Sequence, residues 1–149
     1  MTSEETTVRF SGVDPYLYYE NAEEALEWLA RKFGFRERVR YVDECGTVQE
    51  AEMTVGDTTI HMGGAGAGYW ERNGTTGPVG QMLLVHVDDI DTHHAHATAA
   101  GVRADPPQDK PYGVRVYSVT DPGGHSWSFW QRLRKEVELP TGWKEIRRS

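Results

Sequence analysis

The chain has 149 residues and a net charge of −7, with 38% hydrophobic and 26% charged residues. That length suffices for one domain with its own core, and the acidic balance argues against the clustered basic field that nucleic acid requires. No apolar run approaches the ~18 residues of a membrane span. The opening MTSEETTVRF lacks the basic and apolar regions of a signal peptide, so a cytoplasmic address is expected.

Residues 1–11 are expected to be flexible. Residues 13–19, VDPYLYY, read as a short aromatic strand with Pro15 near its start, where a missing N–H is tolerated. NAEEALEWLARKFGF then reads as a helix. Asn21 is a good N-cap with Glu24 three residues on, and Ala22, Ala25, Leu26, Leu29 and Phe33 recur at helical spacing. Gly34 supplies the stop. Strands are expected at 35–43 and 47–55 around the hairpin loop DECG, and at 58–62, TTIHM. The single cysteine, Cys45, lies in that loop, so no internal disulfide is possible.

Residues 63–78, GGAGAGYWERNGTTGP, carry six glycines and read as a mobile linker that lays Tyr69 and Trp70 over a cleft. They do not form a phosphate loop: the spacing is not G-x-G-x-x-G and no lysine follows. After the linker come an apolar strand at 79–87 and a second helix in DDIDTHHAHATAAG, capped by Asp91 or the aspartates before it and stopped by Gly101. Strands at 102–105, 114–120 and 125–131 follow, with DPPQDKPYG as a loop between the first two. The tail 132–149 is charged, and its Trp143 is expected to dock on the core or on a partner.

Each half therefore reads strand, capped helix, glycine stop, three strands. Gly34 and Gly101 stand 67 positions apart, and TTIHM at 58–62 maps at the same offset onto HSWSF at 125–129. Two such modules must pack together to bury their apolar faces.

This order of elements resembles the vicinal oxygen chelate superfamily, which includes glyoxalase I, extradiol dioxygenases, and the fosfomycin and bleomycin resistance proteins. The phrases YLYYENAEEALEWLARKFGF, AEMTVGDTTIHMGG, LLVHVDDIDTHHAHATAAGV and PYGVRVYSVTDPGGHSWSFWQ look most like its PhnB-like branch, over about residues 12–131. The resemblance implies an α+β fold of two βαβββ modules, 12–62 and 79–131, in one domain with a concave cleft. It also implies a homodimer.

In metal-dependent members of that superfamily, the first and last strand of each module supply one ligand each. Matching motif to motif puts Asp14, His61, Gln81 and Ser128 at those positions. Only Asp14 and His61 are good ligands, short of the three or four a catalytic divalent site needs. A metal, if held, would sit on Asp14 and His61; the expectation is a degenerate, empty site and no cofactor. His93 and His96, three apart on the second helix, could share a face as a weak surface metal pair, while His94 follows the apolar stripe.

Alternation along strands completes the expected cleft. If Ser128 faces it, so do Ser126 and Trp130, while Trp127 and Phe129 face the core. Tyr16 and Tyr18 share the side of Asp14, Thr59 that of His61, and Leu83 that of Gln81. Tyr69, Trp70 and Tyr112 stand near the mouth. Such an aromatic wall with a few hydrogen-bonding groups suits a small aromatic or heterocyclic molecule. The expected function is binding without a catalytic metal. The alternatives left open are a metal-dependent lyase, isomerase or dioxygenase, a metal-free enzyme with His61 as general base, and an aromatic interaction surface.

Overall fold

The computed structural model describes residues 8–148. The expected flexible N-terminus falls outside the described residues for 1–7, and residues 8–11 are exposed coil. The elements run β1 (Tyr16–Tyr19), α1 (Ala22–Phe33), β2 (Arg36–Val42), β3 (Val48–Val55), β4 (Thr58–Gly64), α2 (Tyr69–Arg72), β5 (Leu83–His86), α3 (Ile90–Ala99), β6 (Gln108–Asp109), β7 (Val114–Thr120) and β8 (Ser126–Arg132). They form two mixed four-stranded sheets, ordered β1-β4-β3-β2 and β5-β8-β7-β6. This is the α+β, twice-βαβββ architecture expected from the internal repeat.

Local signals hold where the chain itself satisfies the backbone. Asn21 Oδ1 accepts from the Glu24 amide at 3.0 Å, and Gly34 closes α1 in the left-handed region at φ 80°. Asp89, rather than Asp91, caps α3 through the Thr92 amide at 3.1 Å. Asp91 instead pairs with Arg115 at 2.8 Å.

Several boundaries differ from the sequence reading, and β1 starts at Tyr16 instead of residue 13. β4 runs on through Gly63 and Gly64, because it pairs in parallel with Tyr18 and Tyr19 of β1. The linker contains α2, a single turn. β5 begins at Leu83 instead of residue 79. No strand forms at 102–105; the pairing falls at Gln108 and Asp109, beyond Pro106 and Pro107, which have no N–H to donate to a ladder.

One core serves both modules. Leu17, Tyr19, Leu26, Leu29, Phe33, Ile60 and Met62 meet Ile90, Ala97, Tyr117, Trp127 and Phe129. Full burial of each large apolar side chain stabilises the fold by roughly 1.5–3 kcal/mol. α1 and α3 lie in contact, and Phe33 sits edge-on to Phe129 and Trp127 at 4.8 and 5.9 Å. The histidines of α3 complete this seam. His93 Nε2 donates to the Phe33 carbonyl at 2.9 Å and His96 Nε2 to the Arg31 carbonyl at 3.2 Å, while Lys32 donates to the Ala100 carbonyl. So His93 and His96 fasten α3 to the C-terminal end of α1, where carbonyls lack intrahelical partners, and are not a free surface pair. His94 is half-buried, edge-on to Tyr117 at 4.9 Å.

The buried faces of both sheets point into this shared core, and their other faces are open. Among the described residues no strand of one sheet runs beside a strand of the other. The tail is pinned near its start, where Leu133 and Glu138 donate to the carbonyls of Gly113 and Pro111. Trp143 is 69% exposed. No helix among the described residues is long and apolar enough to cross a membrane.

Candidate functional site

The first open face is built by alternation on β1 and β4. Their parallel register sets Tyr16 beside His61 and Tyr18 beside Gly63. Leu17, Tyr19, Ile60 and Met62 are buried, so Tyr16, Tyr18, Thr59 and His61 face outward. The Tyr16 ring stacks parallel to His61, 3° between planes, with centroids 6.2 Å apart, and meets Tyr18 at 5.1 Å. Gly63 makes this possible: a Cβ there would lie 2.8 Å from the Tyr16 hydroxyl.

Carboxylates surround these rings. His61 Nε2 lies 3.1 Å from Asp14 Oδ2, and Nδ1 lies 3.9 Å from Glu52 Oε2. Burial raises the Tyr16 pKa first, then the nearby Glu50 charge and Tyr18. Sequence reasoning missed Glu50, Glu52 and Gly63. The available signal was the period of two: Glu50 and Glu52 lie on β3 with the outward parity of its partner β4.

The linker is a strap held at both ends of its helical turn. The Trp70 amide donates to Glu20 Oε2 at 3.1 Å, and Arg72 donates to the Ala67 carbonyl at 2.8 Å. Gly68 enters the turn at φ 80°, open only to a residue without a Cβ penalty. The strap lays Tyr69 on Tyr18, 5.4 Å between centroids and 21° between planes, with Trp70 edge-on to Tyr69 at 4.9 Å. Tyr69 and Trp70 are thus carried on a helical turn beside Tyr18, where the sequence reading expected a mobile linker.

The second open face belongs to β5, β7 and β8. Here the register corrects the sequence reading. Leu84 pairs with Ser128 and His86 with Trp130, while Leu83 pairs with Trp127 and packs on the core. Leu83 is therefore not on the Ser128 side. Gln81 precedes β5 and is exposed, and counting back by twos from Leu84 reaches Met82. The repeat offset is 67 between His61 and Ser128, but 68 between their partners Tyr16 and Leu84. Tyr16 to His61 spans 45 positions and Leu84 to Ser128 spans 44, so the second module is one residue shorter and the parity moves. On this face Ser128 Oγ accepts from Ser118 Oγ at 3.1 Å and from Trp130 Nε1 at 3.0 Å, Ser126 is half-buried, and Tyr112 meets Trp130 at 5.6 Å.

The residues expected to line one cleft thus fall into two groups on separate faces: Tyr16, Tyr18, Thr59, His61, Tyr69 and Trp70 on one, Ser126, Ser128, Trp130 and Tyr112 on the other. A cavity of about 1000 Å³ opens at the N-terminal end of α1 and is shared with the strap, lined in part by Asn21, Glu24, Val48, Ala67, Trp70 and Gly123.

The metal positions can be judged on donor chemistry. The first face offers Asp14 and His61. The second offers Ser128, and Met82 where Gln81 was expected. Both lone pairs of Ser128 Oγ are taken by the Ser118 and Trp130 donors, and a thioether suits soft metals only. Among the described residues no group of three or more His, Cys, Asp and Glu side chains is gathered as a metal site. This set does not fit a catalytic divalent ion.

The chain matches the Glyoxalase/Bleomycin resistance protein/Dioxygenase superfamily over residues 11–129. Among solved structures it is similar to TioX from Micromonospora sp. ML1, 34% identical over 82% of this chain and 100% of that one, with a TM-score of 0.64. It shares the fold of TnmS3, an antibiotic binding protein from Streptomyces sp. CB03234 (22% identity, 84% and 98% coverage, TM-score 0.63). It shares it also with the fosfomycin resistance protein FosX from Listeria monocytogenes (13% identity, 83% and 95% coverage, TM-score 0.62). No curated protein matches the chain.

Proposed function

The chain belongs to the Glyoxalase/Bleomycin resistance protein/Dioxygenase superfamily, and we propose that it is a cytoplasmic protein binding a small aromatic or heterocyclic molecule without a catalytic metal. One observation carries this reading. Tyr16, Tyr18 and Tyr69 form a continuous run of rings, 5.1 and 5.4 Å apart, on an open sheet face. Tyr16 and Tyr18 are 44% and 45% exposed on β1, the strand at the edge of its sheet. Clustered exposed aromatics of this kind mark binding surfaces. The antibiotic-binding and resistance proteins that share the fold support the same class of role, and the motif phrases favour the PhnB-like branch.

The site is completed by a second copy. Each chain carries two half-walls that do not meet, so a homodimer with two-fold symmetry would set the Trp130 face of one protomer over the Tyr16 face of its partner. Two equivalent cavities would result, each holding Tyr16, Tyr18, Thr59, His61, Tyr69 and Trp70 from one chain and Ser126, Ser128, Trp130 and Tyr112 from the other.

A second reading has its own observation. Asp14 lies against His61 at 3.1 Å, the arrangement of a general base and its orienting carboxylate. Metal-free proton abstraction by His61 is that alternative.

The test combines mass and melting. Light scattering should give a particle of twice 16.8 kDa. A flat heterocycle that raises the melting temperature should lose its effect in both Tyr18→Ala and Trp130→Ala. A monomer, or a melting shift that survives both substitutions, would overturn the reading. A turnover product dependent on His61 would favour the alternative.

A further inference from the structure

We infer that the ligand of this site is a flat cation, a protonated or quaternised heteroaromatic ring system. The inference rests on the binding reading above and narrows its chemistry. The ring run of Tyr16, Tyr18 and Tyr69 is flanked by Glu50, which stands opposite Gly63 in the register of β3 and β4, and by Glu20, which accepts from the Trp70 amide. Neither carboxylate has a basic partner within ion-pair distance among the described residues. Two arginines of the neighbouring segments, Arg38 and Arg72, are already engaged. Arg38 pairs with Glu52 at 3.5 Å, and the two terminal nitrogens of Arg72, Nη1 and Nη2, donate to carbonyls of the strap.

Electron-rich faces and uncompensated carboxylates act in the same direction. An aromatic face attracts a cation through its quadrupole, and a nearby carboxylate adds Coulomb attraction that strengthens as the site loses water. A neutral ring gains only the stacking part. An anionic ring meets repulsion from Glu20 and Glu50 together. The arrangement therefore selects by charge among ligands of one shape.

The experiment titrates the full-length protein with three probes of similar flat shape: 9-aminoacridine, a cation near neutrality; acridone, neutral; and anthraquinone-2-sulfonate, an anion. Calorimetry gives each Kd for the native protein, Glu50→Gln, Glu20→Gln and the double variant. The expected result is 9-aminoacridine binding about tenfold more tightly than acridone, with the anion weakest. The double variant should remove most of that difference, and a native-like circular dichroism spectrum and melting transition show that it is folded. Equal binding of the cation and acridone, both weakened by Tyr18→Ala, would overturn the charge selectivity and leave the aromatic site standing. A cation preference that persists in the double variant would overturn it too, tracing the preference to net charge. Binding by none of the three would overturn this inference and the binding reading together.

Discussion

The Tyr19 hydroxyl donates to Asp121 at 2.5 Å, joining residues 102 positions apart and, with them, the two modules. Asp121 is 4% exposed and also accepts from Trp127 Nε1 and from the amides of Gly123 and His125. His125 Nε2 then donates to the Tyr18 carbonyl at 2.8 Å. The turn of SVTDPGGHSW is thus a clasp: it holds the end of β1 against the start of β8. Its Gly123 is required by contact, since a Cβ there would lie 2.3 Å from the Tyr19 ring. Burial and the adjacent Asp121 raise the Tyr19 pKa, so the phenol stays protonated as the donor.

Removing the acceptor should cost more than removing one donor. Asp121→Ala orphans four donors and is expected to destabilise by about 3 kcal/mol, against about 1 kcal/mol for Tyr19→Phe. Urea denaturation of both variants checks the order. Equal losses would mean that Asp121 is not the hub of the clasp.

Acid should loosen the seam between α1 and α3. His93 Nε2 donates to Phe33, so the neutral ring accepts at Nδ1 from the Tyr117 hydroxyl at 2.6 Å. Burial lowers the His93 pKa below the ordinary 6.5, and the neighbouring His96 and His94 lower it further, against the raising effect of the Phe33 carbonyl. The unfolded chain then binds this proton more readily than the folded one. Stability from His93 is complete above the unfolded value and is lost as pH falls through it. The melting temperature should drop from about pH 7.5 to about pH 5.5, and His93→Gln should drop less steeply. An equally steep fall in the variant would remove His93 as the cause.

Two adjacent glycines should answer alanine differently. At Gly63 the new Cβ meets the far end of Tyr16, a side chain free to swing away. Stability should change by less than about 1 kcal/mol, while heterocycle affinity falls as the ring is displaced. At Gly64 the Cβ would lie 2.3 Å from the Val48 carbonyl oxygen, which is fixed in the sheet. That substitution should cost about 3 kcal/mol or prevent folding. Thermal melts and ligand titration of both variants decide it; a Gly63→Ala protein with full affinity would show that Tyr16 does not contact the ligand.

Tag-free protein dialysed against trace divalent metals should retain them on fewer than about one chain in ten. Elemental mass spectrometry measures this directly. One equivalent per chain, lost in His61→Ala and kept when His93 and His96 are both replaced, would restore the metal-dependent reading.

The sequence by itself determined what depends on neighbours along the chain. Asn21 and Gly34 bound α1 because a cap and a left-handed stop need only local geometry. Leu17 and Tyr19 point inward, and Tyr16 and Tyr18 outward, because a strand alternates with period two. The repeat followed from two copies of that pattern. Tertiary structure alone decided the rest. Which face Leu84 shows depends on its ladder with β8, so one residue fewer between β5 and β8 exchanged Gln81 and Leu83 for Met82 and Leu84. Gly63 and Gly64 became strand because β1 was there to pair with them. His93 and His96 found their acceptors on α1, 60 and 65 positions away. The expected wall divided between two faces because the modules share their buried sides and leave their other sides open. Dihedral preferences act between adjacent residues, whereas hydrogen-bond ladders and burial are settled only between segments that the chain brings together.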